Sequence, residues 1–265
     1  MRVYLRYLKS ERFSTLMFAL FLWGCGYIMV VVFPSITKIQ MAREYIEALP
    51  SFMKAIVGEE VMDFTTLEGF LTYEYFNTTW LFVMGIFSCL FAGSLVAEET
   101  EQKTLEILLS TGVTRTKFLV SKFVGFLSLL IFLAAVSYLG VALGVWEIGE
   151  NMDKRLMAYV FLNGTICLAT IGSIGLFLSC LFNGQRRACS LTIILFLSLY
   201  VFNLIAILLE QYPSLKYLSL FNYYDASKIF KRQAIYWPDI AIMLAVFFVM
   251  FGASIFTFRR KEIYL

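Results

Sequence analysis

Apolar and polar positions follow one another along this chain in long blocks, not residue by residue. Six apolar stretches, 13–33, 78–97, 124–145, 157–182, 188–209 and 240–258, contain no Asp, Glu, Lys or Arg. A helix needs about 20 mostly apolar residues to cross the hydrocarbon core of a bilayer. In lipid, backbone polar groups must be satisfied internally, so blocks of this length read as helices and not as barrel strands. The pattern predicts an all-α integral membrane protein with six transmembrane helices, forming one transmembrane domain over residues 1–265.

The stretches between the blocks have their own patterns. In the first dozen residues Arg2, Arg6 and Lys9 share one helical face, with Tyr4, Leu5 and Leu8 opposite. Such a segment suits an N-terminal amphipathic elbow helix in the headgroup region. The apolar run after it is longer than the core of a secretory signal peptide and lacks a small-residue ending, so it is expected to remain as a span. Residues 34–77 are expected to form a large outer loop. In it Ile39, Ala42, Tyr45, Ile46 and Leu49 recur at helical spacing, as do Phe52, Met53, Ile56 and Val57. Pro50 separates the two runs, and Thr65-x-x-Glu68 has the pattern of a capping box. Asp239, after Pro238, is expected to cap the last span.

Segment 98–123 is the most charged run in the chain. It reads Glu98-Glu99-Thr100-Glu101-Gln102-Lys103-Thr104-Leu105-Glu106-Ile107-Leu108-Leu109-Ser110-Thr111-Gly112-Val113-Thr114-Arg115 and continues to Lys122. Leu105, Leu108 and Leu109 fall on one helical face. A break is expected at Gly112 and a new helix start at Thr114.

Composition agrees with this class: 60% of residues are hydrophobic and 15% charged, against roughly a quarter charged in soluble domains. Lys and Arg set the orientation. Thirteen of the 22 lie on the side that holds both termini and segment 98–123, close to the spans, whereas 13 of the 19 acidic residues lie on the other side. The positive-inside rule makes the first side cytoplasmic. Trp80, Trp146 and Trp237 fall at the predicted outer ends of spans, as an aromatic belt would. Gly140-x-x-x-Gly144, Gly164, Gly172 and Gly175 are small residues suited to close helix packing. Ser137, Asn163, Thr165, Thr170 and Asn203 are the polar groups placed deep within spans, where helix-to-helix hydrogen bonding is expected.

Several chemistries are excluded. With no histidine and no Cys-x-x-Cys among its five cysteines, the chain lacks the pattern of a zinc or haem site, and a nucleophile–histidine pair is impossible. No Gly-Lys pair occurs anywhere, so a P-loop for ATP is missing. Spans without ionisable groups argue against ion-coupled carriage. Nothing suggests nucleic-acid binding. A membrane subunit of this kind must take its energy from elsewhere.

At segment 98–123 the chain resembles the permease subunits of bacterial ATP-binding-cassette exporters of the second type, also called type V exporters. Their signature after the second span appears here as Glu98-Glu99, Thr104-Leu105-Glu106, Leu108-Leu109-Ser110, Val113-Thr114-Arg115 and Lys122. Lys103 stands where glycine is usual, which bears on the local turn, and Gly112 where proline is usual. The resemblance extends to the six-span layout, the basic elbow and the long first outer loop. It implies a coupling helix within residues 100–110 that seats in a groove of a separate ABC ATPase subunit, which would hold ATP and Mg. It also implies pairing of two permeases, as a homodimer or a heterodimer, in the bacterial cytoplasmic membrane. Under it Leu105, Leu108 and Leu109 would form an apolar docking ridge, and Glu101, Glu106 and Arg115 would fix register at its rim. Glu98 and Glu99 would pair with basic residues of the elbow. The expected function is export of a hydrophobic or amphipathic substrate such as a peptide, antibiotic or lipid-like molecule. The alternative is a membrane scaffold or sensor regulated by a partner ATPase.

Overall fold

The computed structural model describes residues 2–37, 66–110, 113–150, 152–209, 215–224 and 226–261. Six of its helices are long and apolar enough to cross a membrane, and no strand occurs among the described residues. In chain order they are α1 (Arg2–Thr37), α2 (Leu67–Ser94), α5 (Arg115–Ile148), α6 (Lys154–Leu181), α7 (Gln185–Leu208) and α9 (Trp237–Arg260). Short helices α3 (Ala97–Glu101) and α4 (Leu105–Ser110) join α2 to α5. Two 3₁₀ turns, Leu215–Leu218 and Leu220–Asn222, and the short helix α8 (Ala226–Arg232) join α7 to α9. Arg2, Lys261 and the charged segment lie at one end of the bundle, termed basal; the other end is termed distal.

α1 and α5 run side by side in the same direction, and small residues on α5 set their approach. A methyl group on Gly140 would stand 2.5 Å from the Trp23 carbonyl oxygen, and one on Gly144 would stand 2.8 Å from Val30 Cβ. Nearer the basal end Gly125 receives the ring of Tyr7, and Tyr4 donates to Ser128 Oγ at 3.3 Å. Missing side chains on α5 therefore allow contact along most of the length of α1, which packing in lipid requires.

α6 is the central post. Its Gly164 faces Trp80 of α2, Gly172 faces Phe126 of α5, and Gly175 faces Thr192 of α7 together with Ala92 and Gly93 of α2. Thr170 Oγ1 donates across to the Met243 carbonyl of α9 at 3.2 Å, and Asn163 Nδ2 to the Tyr223 carbonyl at 3.4 Å. Thr170 thus joins two helices as expected, and Asn163 ties α6 to the turn before α8. Ser137 and Thr165 instead donate four residues back to the Leu133 and Phe161 carbonyls of their own helices. Outward surfaces stay apolar: Phe13, Leu20, Phe248 and Val249 are each more than 60% exposed, which suits lipid contact.

Several elements differ from the sequence expectation. The amphipathic elbow is not a separate element, because α1 is one uninterrupted helix from Arg2 to Thr37, running past Pro34. α2 begins at Leu67, eleven residues before the charge-free block, because Glu68 and Glu74 sit in its first turns. Its cap is Thr66, whose Oγ1 accepts from Gly69 N at 3.2 Å; Thr65 and the amphipathic runs of 38–64 lie outside the described residues. Leu71–Trp80 is wound as a π-helix, with Thr78 and Thr79 hydroxyls donating five residues back to Tyr73 and Glu74 carbonyls. The early start carries Trp80 into the interior, fully buried, while Trp146 and Trp237 remain 82% and 72% exposed as belt residues. Asp239 is not a cap: Tyr236 precedes the first turn of α9, and Asp239 lies inside it.

Candidate functional site

At the basal end the chain leaves the bundle and re-enters it within about twenty residues. α2 stops at Ser94. The next free backbone donors, Val96 N and Ala97 N, both reach Ser179 Oγ of α6 at 2.9 Å. One buried hydroxyl thus satisfies the turn into α3, whose orphan N–H groups need such a partner. α3 ends in a Schellman turn: Lys103 N donates to the Thr100 carbonyl and Thr104 N to the Glu99 carbonyl. The residue between those bonds, Lys103, is left-handed at φ 55°. That conformation favours glycine, and it is the position where the resembled family carries glycine. After α4 the chain turns, and Thr114 caps α5 by accepting from Lys117 N at 3.4 Å. The new start expected at Thr114 is where the structure has it; the expected break at Gly112 lies outside the described residues.

The charged residues are used inside the chain. Glu99 Oε1 meets Lys122 Nζ at 2.7 Å, with both side chains largely buried, and Glu99 Oε2 also accepts from the Thr104 hydroxyl. Lys122 Nζ lies 5.7 Å from the Tyr7 ring centroid and 5.5 Å from that of Phe118. Burial would raise the Glu99 carboxyl, but the Lys122 charge and the hydrogen bonds from Lys122 and Thr104 outweigh it and hold the group below its ordinary value. Arg6 of α1 adds the last and smallest favourable charge. Glu99 therefore pairs with α5 and not with the basic face of α1. The half-buried Glu98 carboxylate accepts from Gln102 Nε2, at 3.2 Å.

Glu101 and Arg115 act at helix ends. Glu101 Oε2 accepts from Gln185 N at 2.7 Å, placing a carboxylate at the start of α7, where the helix dipole favours it. Arg115 Nη1 donates to the Lys261 carbonyl at 2.6 Å and to those of Phe258 and Arg259 at 3.4 Å. A cation thus closes the C-terminal end of α9. Arg259 Nε reaches Thr116 Oγ1, and Lys261 Nζ reaches the Phe182 carbonyl. Burial at that contact pushes the Lys261 amine below its ordinary value.

The docking ridge needs correction. Leu105 is 2% exposed and belongs to the core, and Leu108 packs against that core half-buried. Leu105 and Leu108 anchor α4 to its own bundle. Side chains of Glu106 and Leu109 lie outside the described residues. Gln102, Lys103 and Ser110 are exposed. The structure thus brings Glu99, Thr104 and Lys122 together, sends Glu101 and Arg115 to two other helix ends, and adds Ser179, Gln185 and Tyr7, which the sequence reading left out. Ser179 carried one signal, as a polar residue near the basal end of its span. No cluster of metal-ligating side chains occurs among the described residues.

The arrangement is a set of ties between helices. Through α3 it ties α2 to α5, α6 and α7, so a displacement of α3 reaches three spans by ion pair or hydrogen bond. Six apolar helices with a short, stitched connector on one end define a multi-pass membrane protein. Residues 10–263 match the family described as ABC-2 family transporter protein, and the chain belongs to that family. It is the membrane permease component of an ABC transporter, which works with an ABC ATPase subunit. No curated protein matches it significantly.

Proposed function

We propose that this permease exports a hydrophobic or amphipathic substrate across a bacterial cytoplasmic membrane, driven through the α3–α4 connector. In this reading both termini and the basal end face the cytoplasm. Two permeases pair, as a homodimer or with a sister chain, and the partner ATPase holds ATP and Mg. The observation that carries the reading is the fan of contacts from α3: Ser179 on α6, Lys122 on α5 and Gln185 on α7. A connector that only linked spans would need none of these. With Leu105 turned inward, the surface offered to the ATPase is the exposed rim around Gln102, Lys103 and Ser110. Spans with few polar groups suit a hydrophobic or amphipathic cargo.

The test is site-directed cross-linking of the chain purified with the ATPase that accompanies it in its host. The five native cysteines lie in spans and four are buried, so an introduced thiol supplies the signal. Gln102→Cys and Ser110→Cys are expected to cross-link to the ATPase, and Trp146→Cys at the distal end is not. Cross-linking from Trp146→Cys alone would reverse the orientation. ATP-dependent uptake of a labelled amphipathic peptide into inside-out vesicles tests direction and cargo, and its absence with every apolar substrate tried would remove the export reading.

A further inference from the structure

At its basal end the outward face of α9 runs from apolar side chains onto two arginines. Val249, Gly252, Phe256 and Arg260 recur at helical spacing along that face, with Val249 67% and Phe256 57% exposed. A methyl group on Gly252 would meet nothing within 4 Å. The glycine thus serves no close contact within this chain and leaves a notch between Val249 and Phe256. The Arg260 guanidinium lies over the Phe256 ring, 4.2 Å from its centroid. Among the described residues it has no hydrogen-bonding or ion-pair partner, so stacking orients it and leaves its donor fork unused. Its neighbour Arg259 is anchored through Nε, which donates to Thr116 Oγ1 at 2.9 Å, and its two Nη groups remain free to donate. Lys117 follows Thr116 and is exposed.

The corner between α5 and α9 therefore presents three exposed cations, two of them oriented by contacts that leave donors over. The last carbonyls of a helix ordinarily repel an anion. Here those of Phe258, Arg259 and Lys261 are already covered by the Arg115 guanidinium. A guanidinium recognises a phosphate through paired N–H donors, and from Arg260 the Phe256 ring and the Gly252 notch lead straight along the apolar face of the span. That continuity of cation and apolar notch fits a lipid better than a water-soluble anion or an acidic protein surface. No carboxylate partners the three cations among the described residues, so nothing there holds an ammonium, and a headgroup of net negative charge is preferred to a zwitterion.

We infer that this corner binds an anionic phospholipid from the leaflet at the basal end, its phosphate on Arg260 with Arg259 and Lys117 beside it and an acyl chain in the Gly252 notch. The inference stands on the geometry of α9 and not on the transport reading. Its test is native mass spectrometry of the full chain in maltoside detergent, titrated with phosphatidylglycerol, phosphatidylethanolamine or soluble glycerophosphate. Phosphatidylglycerol is expected to remain bound in preference to phosphatidylethanolamine, and R260Q to lower its occupancy about tenfold. R260K should restore part of it, because the charge returns without the fork. R186Q removes an exposed, unstacked basal arginine of α7 and should leave occupancy unchanged. G252L should lower occupancy by filling the notch. Thermal midpoints of R260Q and G252L should not fall below the parent's, since both positions face outward. Equal retention by R260Q and the parent, or an equal loss from R186Q, overturns the site. Full retention by G252L overturns the acyl seat. Equal occupancy by both lipids in the parent overturns the selection for negative charge, and saturation by glycerophosphate at the same concentration overturns the lipid source. If R260Q keeps the lipid and loses the co-purifying ATPase, the corner is a protein-docking surface instead.

Discussion

Lys122, one of the most buried charged side chains described, is held at 2.7 Å by Glu99 from across the connector. The pair joins α3 to α5 and so fixes the connector to the span that follows it. A buried ion pair returns little net stability, but removing one partner strands the other charge, at about 3–5 kcal/mol. Glu99→Gln and Lys122→Met should each lower the thermal midpoint in detergent, and the double variant should recover part of the loss. Additive losses would show that the two groups act separately.

The same pair sets a pH dependence. Because the folded Glu99 carboxyl is held below its ordinary value, the unfolded chain binds its proton first as pH falls. Stability from this group is full above the ordinary carboxylate range and is lost as pH drops through the lower folded value. Unfolding midpoints measured from pH 7 to pH 3 should fall for the parent chain and fall less steeply for Glu99→Gln.

Lys103 holds the left-handed position of the Schellman turn at φ 55°. A non-glycine residue there costs about 1–2 kcal/mol, offset in part by the greater freedom of glycine in the unfolded chain. Lys103→Gly should raise the thermal midpoint, while Lys103→Val should lower it, since a β-branched side chain tolerates that conformation least. Circular dichroism melts of the two variants check the pair of signs.

The spans were legible because a bilayer demands long apolar runs, and six such runs leave one simple layout. Their ends were less so. A charge-free criterion stops at the first carboxylate, whereas α2 carries Glu68 and Glu74 within its first turns; from that shift followed the misplacing of Trp80 at the membrane interface. At the connector, the sequence reading took an apolar stripe for a docking surface. Leu105, Leu108 and Leu109 form a stripe, but periodicity marks a buried face without saying whose core buries it. For Leu105 it is this chain's own. Glu101 and Arg115 looked like rim charges because their partners, the start of α7 and the end of α9, are 84 and about 145 residues away. Backbone partners of that kind leave no trace in side-chain spacing.

Gly140 tests the α1–α5 seam. A methyl group there would meet Trp23 backbone atoms at 2.5–3.1 Å, and backbone cannot rotate away as a side chain can. Gly140→Ala should cost about 1–3 kcal/mol through overpacking. Gly24, on α1, has nothing within 4 Å of the same added atom, so Gly24→Ala should be neutral or slightly stabilising through helix propensity. Thermal midpoints of the two variants should move apart, and a neutral Gly140→Ala would mean that α1 sits farther from α5.

Arg115 separates holding the ATPase from being moved by it. Its guanidinium takes three carbonyls at the end of α9 and is thereby engaged within the chain. Arg115→Gln should therefore leave co-purification of the ATPase unchanged. It should free the last turn of α9, so trypsin should cut after Arg260 or Lys261 faster than in the parent chain. If α9 takes part in the transport motion, substrate-stimulated ATP hydrolysis in proteoliposomes should fall severalfold while basal hydrolysis stays. Loss of the ATPase from Arg115→Gln would place this residue in the docking surface instead. Full stimulation, despite a freed α9, would confine coupling to the α3 branch through α5, α6 and α7.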